Sequence, residues 1–104
     1  MTEPQGQPFS VEAGVLRVNK ELDEIEPEEL EHAVRQLAKS GAAAPVLDLG
    51  GVSFLPSYHV KGIRAVADEC LRDGRSLTVR AQRNVKIMLE RMGLGAVARL
   101  TLAE

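Results

Sequence analysis

The residues able to carry chemistry are few. The chain of 104 residues holds two histidines, His32 and His59, one cysteine, Cys70, and fifteen carboxylates. The histidines lack metal-ligand spacing, and no Gly-x-Ser-x-Gly elbow offers an activated serine. One cysteine leaves no intramolecular disulfide and no multi-cysteine zinc site. Asp48, near a strand end, is the one candidate catalytic carboxylate, and nothing else converges on it. Gly50-Gly51 follows a strand without a P-loop lysine, and Gly93-Leu94-Gly95 follows a helix, so neither reads as a phosphate loop. The expectation is a non-enzyme without cofactor or metal.

The segment from Val52 to Val60 is more informative. Val52-Ser53-Phe54-Leu55 leaves a strand and returns to the core, and Pro56-Ser57 then begins a helix. Ser57 reads in two ways: as a helix N-cap whose hydroxyl accepts a backbone N–H, or as a phosphoacceptor. A phosphate there would meet free N–H groups and the positive end of the helix dipole. Tyr58 is either a half-buried ring or an interface anchor. His59 reads as a surface residue at the helix start, flanking Ser57 together with Tyr58 and Lys61. Ile87 is either a contact position or part of a wider buried stripe.

The elements that position these residues follow from periodicity. Phe9 to Ala13 alternates apolar and polar, as a half-buried strand does, and Val15 to Val18 is a second strand after Gly14. So short a link implies an antiparallel pair. Glu26-Pro27-Glu28-Glu29 opens a helix with Pro27 at its first position, and Leu30, Ala33, Val34, Leu37 and Ala38 form its buried stripe. Pro45 to Leu49 is a compact strand. The second helix buries Val60, Ile63, Val66, Ala67, Cys70 and Leu71 and ends at Asp73-Gly74. Ser76 to Val79 is a strand, residues 83–92 a helix with Val85, Met88, Leu89 and Met92 inward, and the last strand falls within Val97 to Leu102. Such alternation predicts one α/β domain over residues 9–103, with a small, mixed, mostly parallel sheet and helices packed on it.

Composition narrows the function class. The three aromatics are Phe9, Phe54 and Tyr58, so the core is aliphatic and base stacking on an aromatic platform is nearly excluded. A net charge of −2 argues against a life on phosphate backbones, so no nucleic-acid partner is expected. Charge is uneven: residues 1–51 carry four bases against ten acids, and residues 52–104 nine bases against five acids. Seven of the first ten acids lie between Glu21 and Glu31. They read as a solvated helix start or as an acidic patch for a basic partner. Residues 1–8, with Pro4, Gly6 and Pro8 among polar side chains, read as a disordered N-terminal segment without a signal peptide. No apolar run reaches the ~20 residues of a membrane helix, so the expected location is the cytoplasm.

Three segments in order resemble the STAS domain family of anti-sigma factor antagonists and sulfate-transporter tails. Glu21-Leu22-Asp23 is similar to the family's Gly-Glu-Leu-Asp, with Lys20 in place of glycine. Val46 to Leu55 resembles the strand and loop leading to Asp-Ser-(Ser/Thr)-Gly-Leu. Gly74 to Val79, then Val85-Lys86 and Leu89 to Leu94, resembles the later strand and the helix ending in Gly-Leu. The resemblance implies a regulatory module that docks a protein at the start of the second helix. The partner would be an anti-sigma factor or serine kinase-like protein, or another STAS protein. The resemblance carries the phosphoacceptor onto Ser57 and the partner surface onto Asp23, Pro56, Ser57, Tyr58, His59, Lys61 and Ile87. Pro56 stands where the family has an acid, Tyr58 where it has a second hydroxyl residue, and His59 where it has glycine. These departures leave an alternative: a structural or transport-accessory STAS subunit that does not cycle through phosphorylation.

Overall fold

Five strands and three helices follow one another in alternation after an opening hairpin; the computed structural model describes residues 8–103. Strand β1 (Phe9–Glu12) turns into β2 (Val15–Val18) through Ala13 and Gly14, whose φ angles are 53° and 80°. Two successive positive φ values make the two-residue hairpin turn whose twist matches the flanking strands. Gly14 adopts that backbone freely, whereas Ala13 holds it against its own Cβ, at a cost of about 1–2 kcal/mol. Then come α1 (Pro27–Lys39), β3 (Val46–Leu49), α2 (Val60–Arg72), β4 (Leu77–Ala81), α3 (Arg83–Arg91) and β5 (Ala98–Leu102).

The sheet order is β1-β2-β3-β4-β5, with the first pair antiparallel and the other three parallel. This is the mixed, mostly parallel α/β architecture that the alternation predicts. Each parallel neighbour is reached by a helical crossover, so the chain builds the sheet in one direction. Leu16, Val18, Leu47, Leu49, Leu77, Val79 and Ala81 share one face and form one buried cluster with the apolar stripes of the helices. The opposite face carries most of the polar side chains of the strands. The strand register aligns Ser10, Arg17, Asp48, Arg80 and Thr101 across it in a single row.

Helix α1 obeys the expected signals. Pro27 opens it, Glu28 and Glu29 occupy its first turn, Lys39 its last, and Leu30, Val34, Leu37 and Ala38 are buried. Four expectations about individual side chains fail, each by a small geometric margin. Leu71 is 43% exposed, because Cys70 takes the inward place in the last turn of α2 and its neighbour lies about 100° round the helix. Met88 is exposed for the same reason, one step from buried Leu89. Phe54 turns outward between buried Val52 and Leu55. Val11 is 61% exposed, since β1 is an edge strand that α1 does not cover.

The segment expected to lack structure, residues 1–8, lies outside the described residues except for Pro8, whose carbonyl accepts the Asn19 N–H at 2.7 Å. Among the described residues no helix is long and apolar enough to cross a membrane.

Candidate functional site

Strands β2, β3 and β4 run parallel, so the loops leaving their carboxyl ends gather at one end of the sheet. In open α/β sheets that end is where ligands and partners are met. Here side-chain hydrogen bonds tie the loops together. The Glu21 carboxylate, after β2, accepts the Ser53 backbone N–H at 3.0 and 3.2 Å and the Ser53 hydroxyl at 2.8 Å. Asn84, in the first turn of α3, donates to the Ser53 carbonyl at 2.8 Å. Gln82, just before α3, donates to the Gly50 carbonyl at 3.0 Å. The loop between β3 and α2 is thus fixed from both sides. With Ser53 clamped at both its N–H and its carbonyl, Val52 and Leu55 enter the core and Phe54 stays outside.

The start of α2 rests on this frame. Pro56 has an extended backbone, a single 3-10 turn covers Ser57–His59, and α2 continues from it at Val60. The helical run therefore begins at Ser57, where the spacing puts it. The side chain of Ser57 does not cap: it makes no hydrogen bond within the described residues, and Pro56 occupies the cap position. The N-cap reading of Ser57 is thereby corrected. Ser57 stands exposed as the first residue of the helical run, its hydroxyl free.

The predicted surface residues divide into two groups. Asp23, Ser57, Tyr58, Lys61 and Ile87 are exposed, with Tyr58 at 51% and Ile87 at 38%. The Asn84–Ser53 bond joins the first turn of α3 to the loop that carries Phe54, which is 60% exposed. Phe54 and Tyr58 thus stand exposed on the segment that leads into α2, and Ile87 is exposed on α3.

Pro56 and His59 do not belong to that surface. Pro56 is buried, and His59 is 1% exposed. The His59 ring packs inward with Nε2 at 2.7 Å from the Leu22 carbonyl. A carbonyl only accepts, so Nε2 carries the proton and donates. Nδ1 is buried without a partner among the described residues, an arrangement that costs about 1–3 kcal/mol. The Tyr58 ring lies against the imidazole, centroids 4.9 Å apart and tilted by 41°. His59 acts as a tether: it ties the turn Leu22–Glu24, which carries Asp23, to the turn that carries Ser57. It cannot serve Ser57 as a base, because its donor nitrogen is engaged and the other is enclosed.

Asp48 is buried too, and its carboxylate is occupied. Oδ1 accepts the Gly50 N–H at 2.9 Å, and Oδ2 lies 3.4 Å from Arg17 Nε on the open sheet face. It holds the β3–α2 loop start rather than facing a substrate.

Several residues of this end went unread in the sequence. Glu21, Ser53 and Asn84 form the loop clamp; the motifs Glu21-Leu22-Asp23 and Val46 to Leu55 contain two of its members, but nothing in the sequence paired them. Arg35 of α1 joins the two helices, donating to Glu31 one turn before it at 2.9 Å and to Glu69 of α2 at 2.6 Å. Those hydrogen bonds, to Glu69 first and Glu31 second, raise the Arg35 pKa, and the Arg35 guanidinium holds the Glu69 carboxyl below its usual range. At Gly62, in the first turn of α2, a Cβ would stand 3.0 Å from the Glu31 Cβ, so a side chain there would press against α1. Cys70 is an inward core residue, its thiol pushed up by burial and so kept from the thiolate form.

A search of the curated proteins finds no match to this chain. A family model described as STAS domain matches residues 8–104. The sheet order, the clamped loops at the strand ends and the exposed start of α2 all lie within that stretch, and the chain belongs to the STAS domain family.

Proposed function

We propose that this STAS domain is a non-enzymatic regulatory module of the anti-sigma-antagonist type, which docks a protein partner on the start of α2 and is switched by phosphorylation of Ser57. STAS domains are in general binding modules that mediate contacts between proteins. The observation that carries the finer reading is the combination at one helix start. A free, exposed serine hydroxyl is flanked along the chain by the exposed aromatic side chains Phe54 and Tyr58. Exposed aromatics on a rigid frame are what an interface anchor requires.

The chemistry of the switch follows from position. A phosphate on Ser57 adds about −1.5 to −2 charges at the positive end of the helix. The fold accommodates it there, with Lys61 one helical turn further on. A partner fitted to a neutral hydroxyl and an apolar ring does not. The residue before Ser57 is a buried proline rather than the acid usual in the family. That favours a kinase with a different preference, or the alternative reading of a transport-accessory subunit that docks on the same surface without phosphate.

The test is pull-down of the partner from the native host, followed by calorimetric titration against Ser57→Asp, Ser57→Ala and Tyr58→Ala. Ser57→Asp and Tyr58→Ala each weaken binding at least tenfold, while Ser57→Ala binds nearly as the parent does. Equal affinity for all four proteins, with circular dichroism unchanged, would place the interface elsewhere. Loss of binding in Tyr58→Ala alone supports the accessory reading.

A further inference from the structure

The outer edge of the sheet at β1 carries a second surface, which shares no residue with the start of α2. Phe9 and Val11 lie opposite Val18 and Leu16, so their side chains share the core face of the sheet. Beyond α1 they line an open groove with Leu16, Ala33 and Leu37, rimmed by Asn19, Gln36 and Ser40. Among the described residues no charged side chain lines this groove, in a chain with 28 ionised side chains of Lys, Arg, Asp and Glu.

The backbone pattern of β1 is fixed by its neighbour. The Asn19 N–H donates to the Pro8 carbonyl, so residues 8, 10 and 12 exchange their hydrogen bonds with β2. The N–H and C=O groups of Phe9 and Val11 therefore point outward, unpaired by the sheet. An edge of this kind is normally defended by lysines, inward charges or a proline on the exposed side. Here the one charge in the strand, Glu12, belongs to the open face. Pro8 lacks its N–H on the side facing β2, which leaves the outer side fully competent.

We infer that β1 is a self-association edge, on which a second copy of this chain pairs its own β1 antiparallel to form a continuous ten-stranded sheet about a two-fold axis at Ser10. The register is dictated by the outward groups. Phe9 meets the second copy's Val11, and Val11 its Phe9, giving four backbone hydrogen bonds and two aromatic–β-branched cross-strand pairs. The register centred on Val11 instead makes only one such exchange without drawing in the strained turn residue Ala13. The two-fold is perpendicular to the sheet, so both helical layers stay on one side and the two grooves merge under both α1 helices. A neutral, self-complementary groove favours a like copy over a charged partner, since an isologous contact meets no like-charge repulsion there. A four-residue strand with a flanking groove sits near the low end of stable interfaces, about 1,000 Å² in total, so association in the micromolar range is expected.

The experiment uses the full chain. Sedimentation equilibrium from about 5 µM to 1 mM gives a monomer–dimer equilibrium insensitive to added salt. Val11→Lys, at an exposed position, weakens it at least tenfold with an unchanged thermal melt. Ser10→Cys supplies the geometric arm. In the stated register residue 10 faces its own copy as a non-hydrogen-bonded pair, with Cα atoms about 4.5 Å apart, inside the range a disulfide spans. With oxidised glutathione, Ser10→Cys forms covalent dimers at least tenfold faster than Ser76→Cys, an exposed position off this edge; the parent, whose Cys70 is buried, forms none. A monomer at every concentration overturns the proposal and leaves the edge to a strand from another protein. So does a dimer indifferent to Val11→Lys, or equal cross-linking by the two cysteine variants.

Discussion

Two helix starts lie side by side in this molecule and are built on opposite plans. Helix α1 begins with Pro27 and places Glu28 and Glu29 in its first turn, so that its positive end meets carboxylates. The run into α2 begins with Ser57, Tyr58 and His59, has no acid in its first turn and no side-chain cap, and encloses an imidazole with one orphaned nitrogen. Neither start has a side-chain cap, but the first sets exposed Glu28 and Glu29 at its positive end. The second has no such acids and buries a half-satisfied imidazole, a cost offset by the loop clamp around Ser53 and the core beneath. Violations of local rules that the rest of the fold sustains tend to mark functional surfaces. The lesson is that the proposed docking surface is marked by the acids that its neighbour has and it lacks.

The sharpest way to break this comparison is to remove the tether. His59→Ala deletes the donor to the Leu22 carbonyl, leaves that carbonyl buried and opens a cavity. Urea unfolding is expected to show a loss of about 2–4 kcal/mol. The same substitution should speed hydrogen exchange at the turn Leu22–Glu24. A loss below about 0.5 kcal/mol would mean that the second start stands without its buried histidine.

The next test acts where the two starts touch. Gly62→Ala gains helix propensity of up to about 1 kcal/mol but drives a methyl group to 3.0 Å from the Glu31 Cβ. Because the nearest atom is the root of a side chain rather than its flexible tip, the overpacking term of about 1–3 kcal/mol should win. The expected net result is a destabilisation of about 1 kcal/mol, read from the denaturation midpoint. A stabilised variant would show that α1 yields at this contact and that the two starts are not rigidly joined.

How much of this was legible beforehand depended on the distance over which each feature is decided. Periodicity within ten or fifteen residues placed α1, α2 and α3 and the strands between them, because a buried stripe needs only its own spacing. The antiparallel hairpin followed from a two-residue link. His59 was misread because its place is settled by a carbonyl 37 residues earlier, and the local sequence at a helix start suggested only solvent. The Ser53 clamp spans 32 residues to Glu21 and 31 to Asn84. Leu71 and Met88 were misassigned by one position, the margin at which a helical stripe passes from core to water. Val11 looked half-buried by alternation, but alternation cannot say where the helical layer ends.

Filling the second start with the charge that the first possesses gives a smaller and opposite effect. Ser57→Asp brings a carboxylate to the open positive end, and a gain of about 0.3–1 kcal/mol in unfolding free energy is expected. On the proposed reading the same variant weakens partner binding, so stability and binding would move in opposite directions. Ser57→Ala should change stability by less than about 0.5 kcal/mol, since the hydroxyl caps nothing. If Ser57→Ala instead cost a full cap, about 1 kcal/mol, the free hydroxyl on which the switch depends would not be free.

The smallest expected effect concerns the ion pair that joins the two helices. Arg35 depresses the Glu69 pKa chiefly through its hydrogen bond, so the folded state holds the Glu69 proton less tightly than the unfolded chain does. The pair's contribution is therefore fully present above the ordinary carboxyl value of about 4.5, and it is lost as pH falls through the lower folded value. Raising the pH through the alkaline range leaves it intact, because Arg35 is held protonated by the same contacts. Glu69 is 42% exposed at its side chain and Arg35 27%, so solvent screens the pair and its worth is a few tenths of a kcal/mol, up to about 1. Glu69→Gln should accordingly lower stability slightly at pH 7 and flatten the decline as pH falls below about 4.5. Measuring midpoints for the parent and the variant across that range isolates the carboxylate that joins the helices. Identical acid profiles for the two proteins would show that Arg35 does not couple α1 to α2 through Glu69.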